Sequence, residues 1–186
     1  MKSKVLLGSL SDVGYDIRTY GDPVLTTVAA EVENIDGKLI RLTKDMFQAM
    51  YKAPGLGLAA PQIGVQKQIF VYDIEGEPVT LINPKIVESR GEWTFDEGCL
   101  SIPGLYVEVL RPKEVLVEAV DLDGNAVQIE ADELLARLFQ HEIDHLNGVL
   151  MFEHMTPEQR KEALSEYRKL SEDATSLGEP RRIALK

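Results

Sequence analysis

The segment 132–147 constrains the fold most, because its apolar residues predict a helix that is buried on most sides. At about 100° per residue, two apolar stripes run along this helix. The first stripe contains Leu134, Leu138, His141 and His145. The second, broader face contains Leu135, Phe139, Ile143 and Leu146, and Gly148 follows as the expected C-terminal cap. Other elements must therefore surround this helix, and its two histidines are expected in the interior.

The run Gln140-His141-Glu142-Ile143-Asp144-His145 carries the strongest chemical signal. Residues four apart in a helix lie one above the other, so His141 and His145 can bind one divalent metal. Glu142 lies beside them, close enough to handle the protons of a metal-bound water. The alternative is a pair of core histidines satisfied by hydrogen bonds. Burial of the helix favours the metal, because a buried histidine pair needs a partner.

The residues alone leave the third metal ligand open. Glu162 or Glu166 could serve, as in zinc proteases that take a glutamate from a following helix. In the longer protease motif a third histidine follows, but Met151 stands at that position and His154 comes three residues too late. Cys99 is the remaining candidate. A lone cysteine is more often a small buried hydrophobic residue.

Composition excludes several classes of function. The 186 residues carry a net charge of −11, which argues against nucleic acid as the main ligand. No apolar run approaches the ~20 residues of a membrane span, and residues 1–16 show no cleavage pattern of a secretory signal. A single cysteine cannot form an internal disulfide, which favours a reducing cytoplasm.

The chain reads as one domain, 1–186, without repeats or linkers. We expect a flexible extension at 1–15, a catalytic core at 16–155, a C-terminal helix at 156–171 and a polar tail at 172–186. A helix is expected at 37–52 after the N-cap Asp36, and another at about 157–171 after a capping box at Thr156. Strands are expected at 69–74 and 79–82 around a turn at 75–78, and at 115–120 and 127–130 around a turn at 121–125. Residues 86–95 alternate only loosely, and 97–103 read as a turn-rich stretch between strands.

Three motifs together resemble those of the peptide deformylase family. They are Gly55-Leu56-Gly57-Leu58-Ala59-Ala60-Pro61-Gln62, Glu97-Gly98-Cys99-Leu100-Ser101 and the run 140–145. The resemblance implies an α+β fold, in which mixed and antiparallel sheets surround the helix with the two histidines. It also implies a hydrolase that removes the formyl group from the N-terminal formyl-methionine of nascent polypeptides and releases formate.

The same resemblance implies a set of site residues. Cys99, His141 and His145 would hold one metal and leave a fourth position for water, whose pKa falls from ~15.7 towards ~7. Glu142 would move the proton, while the Gln62 amide and the Leu100 N–H would donate to the developing oxyanion. The implied metal is Fe²⁺, with Zn²⁺, Ni²⁺ or Co²⁺ as possible replacements.

Substrate contacts follow partly from the helix and partly from the family. Leu134 and Leu138 share the histidine stripe and are expected to line a methionine pocket. By resemblance, Gly55, Leu56 and Gly57 would pair with an extended peptide as an added strand does. A tight site would exclude an acetyl group by sterics.

Several charged or polar residues are expected to affect peptide preference, support of the metal helix or contact with the ribosome. Tyr106 stands where many members have arginine, and Arg137 stands where many have an apolar residue, so both bear on peptide preference. Arg111 and Asp144 are expected to form an ion pair that supports the metal helix. The last helix and the basic pair Arg181-Arg182 are candidates for a ribosome contact, although a charged tail is more often solvated.

Overall fold

The computed structural model describes residues 14–172 and the backbone of 181–183. Within these ranges the helices are α1 (Gly37–Lys52), α2 (Glu133–Leu146) and α3 (Pro157–Glu172). The strands are β1 (Gly57–Ala59), β2 (Ile69–Ile74), β3 (Glu77–Arg90), β4 (Trp93–Cys99), β5 (Ile102–Arg111), β6 (Glu114–Val120), β7 (Ala126–Asp132) and β8 (Arg181–Ile183).

The strands form two sheets. The five-stranded sheet has the order β1-β2-β3-β6-β7 and is antiparallel throughout. The three-stranded sheet has the order β4-β5-β8, with β4 antiparallel and β8 parallel to β5. One antiparallel and one mixed sheet beside helices confirm the predicted α+β class.

Helix α2 occupies the interior, as its sequence predicts. Its apolar side chains join a cluster with all five strands of the larger sheet, which includes Phe70, Leu81, Val117, Phe139 and Leu146. A second cluster between β5 and α3 contains Ile102, Leu105, Val107, Phe152 and Tyr167. Cys99, at the end of β4, belongs to this second cluster, whereas the apolar residues of α2 belong to the first. In a third cluster, α1 covers the five-stranded sheet through Met46, Met50, Leu58, Val71 and Ile82.

The helix boundaries follow the expected caps. The Asp36 carboxylate accepts hydrogen bonds from the N–H groups of Lys38 and Leu39 at the start of α1. At α3, Thr156 and Gln159 exchange the two bonds of a capping box. Gly148 follows α2 with φ of 69°, in the left-handed region that favours glycine.

The strand expectations need three corrections. Glu77 and Pro78 pair with β2, so the first hairpin turn contains only Glu75 and Gly76. Residues 86–95 belong to two strands, because the chain turns after Arg90, at Gly91 with φ of 68°. Glu97, Gly98 and Cys99 end β4 instead of lying in a turn, and only Leu100 and Ser101 connect β4 to β5.

The ends of the chain add two observations. The expected extension at 1–15 lies outside the described residues except for its last two positions. In the region expected as a polar tail, the backbone of β8 pairs with β5, which the polar sequence did not suggest. None of the helices in the part of the chain that the structure describes is long and apolar enough to span a lipid bilayer.

Candidate metal centre

Cys99, His141 and His145 meet where β4 ends against α2. One ligand atom from each lies within 4.8 Å of the others. The Cys99 Sγ atom is 3.2 Å from His145 Nε2, and the two imidazole rings stand edge to face with centroids 4.9 Å apart. Among the described residues this is the one cluster of this kind, and neither Glu162 nor Glu166 belongs to it.

The donor set fits a divalent transition metal. Thiolate and neutral imidazole suit Zn²⁺ and its first-row neighbours. Burial lowers the pKa of His145 well below its usual value, which favours the neutral form that a metal requires. Glu142 Oε2 is buried without a hydrogen-bond partner. A buried carboxylate oxygen without a partner indicates that the site is incomplete without another group.

Glu97 supports the first histidine, a role that its place in the sequence did not reveal. Its carboxylate accepts from His141 Nδ1 at 3.1 Å, and from Arg111 Nε at 2.5 Å and Nη2 at 3.0 Å. Burial opposes the charge on Glu97, but His141 and Arg111 outweigh burial and lower its pKa. In the metal-free protein, burial disfavours the charged form of His141, but Cys99 and Glu97 together raise its pKa well above the usual value. A metal bound to this imidazole would take the place of the proton. Such partners fix the orientation of a ligand imidazole.

The expected ion pair between Arg111 and Asp144 is confirmed. Arg111 Nη1 lies 2.7 Å from Asp144 Oδ2, and His154 Nε2 lies 2.6 Å from the same oxygen. The third histidine of the chain therefore stands outside the metal cluster, as its spacing predicted, and contacts the ion pair instead. Asp144 precedes His145, so the pair holds the last turn of α2.

Glu142 and Gln62 lie beside the cluster with defined surroundings. Burial raises the pKa of Glu142 to about 7. The Gln62 side chain is buried, and its Oε1 accepts from the Ala59 N–H at 2.8 Å. This bond orients the amide, so that Nε2 lies 3.2 Å from Ser101 Oγ and 3.8 Å from Cys99 Sγ. An N–H donor thus faces the candidate metal centre.

A pocket of about 600 Å³ opens onto this centre. Every substrate-contact candidate from the sequence lines it, namely Gly55, Leu56, Gly57, Leu134 and Leu138. The catalytic candidates Gln62, Leu100 and Glu142 line it too, together with Cys99 and His141. Tyr106 and Arg137, which the sequence singled out, are also in the wall, but Phe95 and Pro103 were missed. Nothing in the pattern of β4 distinguishes Phe95 from an ordinary strand residue.

Comparison with known proteins agrees with this geometry. Residues 15–161 match the family described as polypeptide deformylase. The chain is 46% identical over 165 residues to a peptide deformylase of Hydrogenovibrio crunogenus, covering 87% of this chain and 98% of that protein. It is 40% identical over 190 residues to Arabidopsis thaliana peptide deformylase 1B, chloroplastic/mitochondrial, covering 95% of this chain and 70% of the relative.

Solved structures agree as well. The chain resembles a peptide deformylase from Legionella pneumophila with a TM-score of 0.81 and 42% identity, covering 86% and 96% of the two chains. A peptide deformylase from Synechococcus elongatus in complex with actinonin gives a TM-score of 0.80 at 44% identity, covering 84% and 89%.

Proposed function

The chain belongs to the peptide deformylase family. We propose a role for each site residue in removing the formyl group from nascent polypeptides. The enzyme is a hydrolase that depends on a metal. The observation that carries the assignment of roles is the convergence of Cys99, His141 and His145 beside Glu142 and Gln62.

Cys99, His141 and His145 are the three protein ligands in this proposal. Three ligands leave a fourth position open, which distinguishes a catalytic site from a closed structural one. The metal is Fe²⁺, with Zn²⁺, Ni²⁺ or Co²⁺ as replacements that the same donors accept. When bound, it would supply Lewis acidity and lower the pKa of a water molecule towards neutrality.

Glu142 moves the proton. Its carboxyl pKa of about 7 suits a group that both accepts and donates a proton at neutral pH. It takes a proton from the attacking water, whose oxygen bonds to the formyl carbon. It then delivers that proton to the amine nitrogen as the carbon–nitrogen bond breaks. The products are formate and a peptide with a free amino terminus.

Two donors stabilise the charge that develops on the formyl oxygen. They are Nε2 of Gln62, held by its bond to Ala59, and the backbone N–H of Leu100 in the turn after Cys99. Loss of one such donor typically costs about 3 kcal/mol of transition-state stabilisation.

The pocket accommodates the start of the peptide. Leu134 and Leu138 receive the methionine side chain, while Gly55, Leu56 and Gly57 pair with the extended backbone. The close walls around the centre exclude an acetyl group. Equal turnover of N-acetyl and N-formyl peptides would contradict this part of the proposal.

The remaining proposals concern the setting of the enzyme. We place it in the cytoplasm, because its lone cysteine is a candidate metal ligand and cannot form an internal disulfide. We also propose that the chain is a single domain. A contact with the ribosome through α3 and the basic residues Arg181-Arg182 fits an enzyme that acts on nascent chains.

The test of the proton role is the variant Glu142→Ala. It should keep stoichiometric metal but release formate from formyl-Met peptides at least about 100-fold more slowly, because general acid–base catalysis contributes on this scale. Metal content is measured by elemental analysis and formate by a coupled assay. Full activity of the variant would contradict the mechanism.

The test of the third ligand pairs Cys99→Ala with Glu162→Ala. Cys99→Ala should lose metal and activity together, whereas Glu162→Ala, an exposed change on α3, should lose neither. The reverse result would favour a protease-type centre.

A further inference from the structure

Arg137 makes contacts that neither the proton transfer nor the metal ligands require. It lies on α2 one turn before His141, and its side chain is only 4% exposed. Its Nη1 donates to Glu97 Oε1 at 2.6 Å and to the Val109 carbonyl at 3.0 Å. Its Nη2 donates to the Trp93 carbonyl at 2.5 Å. One guanidinium therefore joins α2 to both β4 and β5.

The same guanidinium faces an aromatic pair, Trp93 and Phe95, of which Phe95 lines the pocket. The rings of Trp93 and Phe95 are stacked, with centroids 4.5 Å apart and an interplanar angle of 26°. The central carbon of the Arg137 guanidinium lies 5.1 Å from the Trp93 ring centroid and 5.9 Å from that of Phe95. Both distances are within the range of cation–π attraction. Phe95 is 42% exposed and lines the pocket, as Arg137 does.

Charge balance alone does not explain this residue. Arg111 already holds Glu97 with two hydrogen bonds, so the carboxylate has a cation without Arg137. A second buried guanidinium has a desolvation cost, and burial is the main reason that the pKa of Arg137 is lowered. Its Nε atom is also buried without a hydrogen-bond partner. The contacts that Arg111 does not duplicate are those to the carbonyls of Val109 and Trp93 and to the aromatic pair.

We propose that Arg137 is a positioning residue that connects Phe95, in the wall of the substrate pocket, to the support of the metal ligand His141. Through Glu97 it steadies the His141 imidazole, and through the stacked Trp93–Phe95 pair it holds Phe95, against which the first substrate residue packs. The binding of the peptide and the retention of the metal are thereby linked through one side chain. The substrate half of this inference rests on the proposed function.

The experiment compares Arg137→Met and Arg137→Lys with the control Arg90→Met. Arg90→Met removes the same charged group at a position where the side chain is 68% exposed. The Arg90 guanidinium pairs with Glu114 across β3 and β6. Four measurements are made: Co²⁺ affinity of the metal-free protein by competition with a chelator, steady-state kinetics (KM and kcat) for a formyl-Met tripeptide, the emission of Trp93, and the free energy of unfolding in urea. Because Trp93 is the chain's single tryptophan, its fluorescence reports directly on the guanidinium above it.

The two variants are expected to separate the two halves of the link. Arg137→Met should weaken Co²⁺ binding about tenfold, raise KM about tenfold with a smaller change in kcat, and shift the Trp93 emission. Arg137→Lys should restore most of the Co²⁺ affinity, because an ammonium can still pair with Glu97. It should leave KM raised and the emission shifted, because one ammonium cannot also bond the Trp93 carbonyl and lie within cation–π distance of both rings. Arg90→Met should match the wild type in all four measurements.

Two results would overturn the inference. One is a KM and Co²⁺ affinity within twofold of the wild type in both Arg137 variants. The other is an equal loss of both in Arg137→Met and Arg137→Lys, in step with the free energy of unfolding, which would mark a purely structural residue. If the wild type released no formate, the proposed function would fail, while Co²⁺ affinity and Trp93 emission would still test the link to the centre.

Discussion

At the scale of single residues, Gly57 shows how a small side chain sets up the site. By resemblance to the family, the segment from Gly55 to Gly57 was expected to pair with an extended peptide. In the structure the close neighbour of Gly57 is the Glu142 side chain, because a Cβ built on Gly57 would lie 2.5 Å from Glu142 Oε1. The absence of a side chain at Gly57 therefore leaves room for the Glu142 carboxylate, in addition to the proposed pairing of Gly57 with the peptide.

We expect Gly57→Ala to displace the Glu142 carboxylate and lower kcat at least about tenfold, since small misplacements of catalytic groups have large effects. The measurement is steady-state formate release, alongside urea unfolding. Gly37→Ala is the matched control, because its added Cβ would meet nothing closer than 3.7 Å at the exposed start of α1. Unchanged kcat in Gly57→Ala would show that Glu142 can move aside without loss.

At the scale of elements, α2 is held by buried charges as well as by apolar packing. Arg137, Gln140, Asp144 and Asn147 share the helical arc that the two apolar stripes leave. Arg137 and Gln140 are buried, with Gln140 Nε2 donating to the Pro112 and Ala136 carbonyls. Together with Arg111, these residues attach α2 to β4, β5 and the connection that follows.

Removing Arg111 from this network of buried charges should lower the free energy of unfolding. Arg111→Met leaves Asp144 without its guanidinium and Glu97 with Arg137 and His141 alone, so we expect a loss of about 3–5 kcal/mol in the free energy of unfolding. Denaturation in urea provides the measurement. Lys113→Met removes the exposed Lys113–Glu133 pair and should cost under about 1 kcal/mol. Equal losses in the two variants would argue against a buried network.

At the scale of the whole molecule, the candidate centre joins two separately packed regions. Cys99 belongs to the cluster around β5 and α3, while α2 packs mainly against the five-stranded sheet. A metal held by Cys99, His141 and His145 would connect these regions, so binding and folding are coupled.

Removal of the metal should therefore lower the thermal stability. At 100 times the dissociation constant, a ligand that binds only the folded state contributes about 2.7 kcal/mol. Calorimetry of the metal-free protein should show a rise in Tm with Ni²⁺ or Zn²⁺, absent in Cys99→Ala. Mg²⁺, which prefers oxygen ligands, serves as the control. A wild-type Tm that does not change when Ni²⁺ is added would contradict the coupling of metal binding to folding.

The sequence by itself determined the elements whose signals are local. The spacing of apolar residues in α2, the caps of α1 and α3, and the paired histidines one turn apart depend on neighbours within a few positions, so they can be read directly. The three motifs likewise placed Cys99, Gln62 and the candidate pocket residues, because the order and spacing of motifs identify a family without coordinates.

Only the tertiary structure decided which distant side chains share a buried charge. Glu97 is 14 residues from Arg111, 40 from Arg137 and 44 from His141, and no periodicity within β4 links it to any of them. Their meeting depends on the way β4 and β5 cross α2. The same packing buried the polar residues Arg137 and Gln140 of α2 and placed Phe95 in the wall of the pocket. Solvent exposure and partners of a charged residue are properties of the packed elements, so a single helix or strand pattern cannot report them.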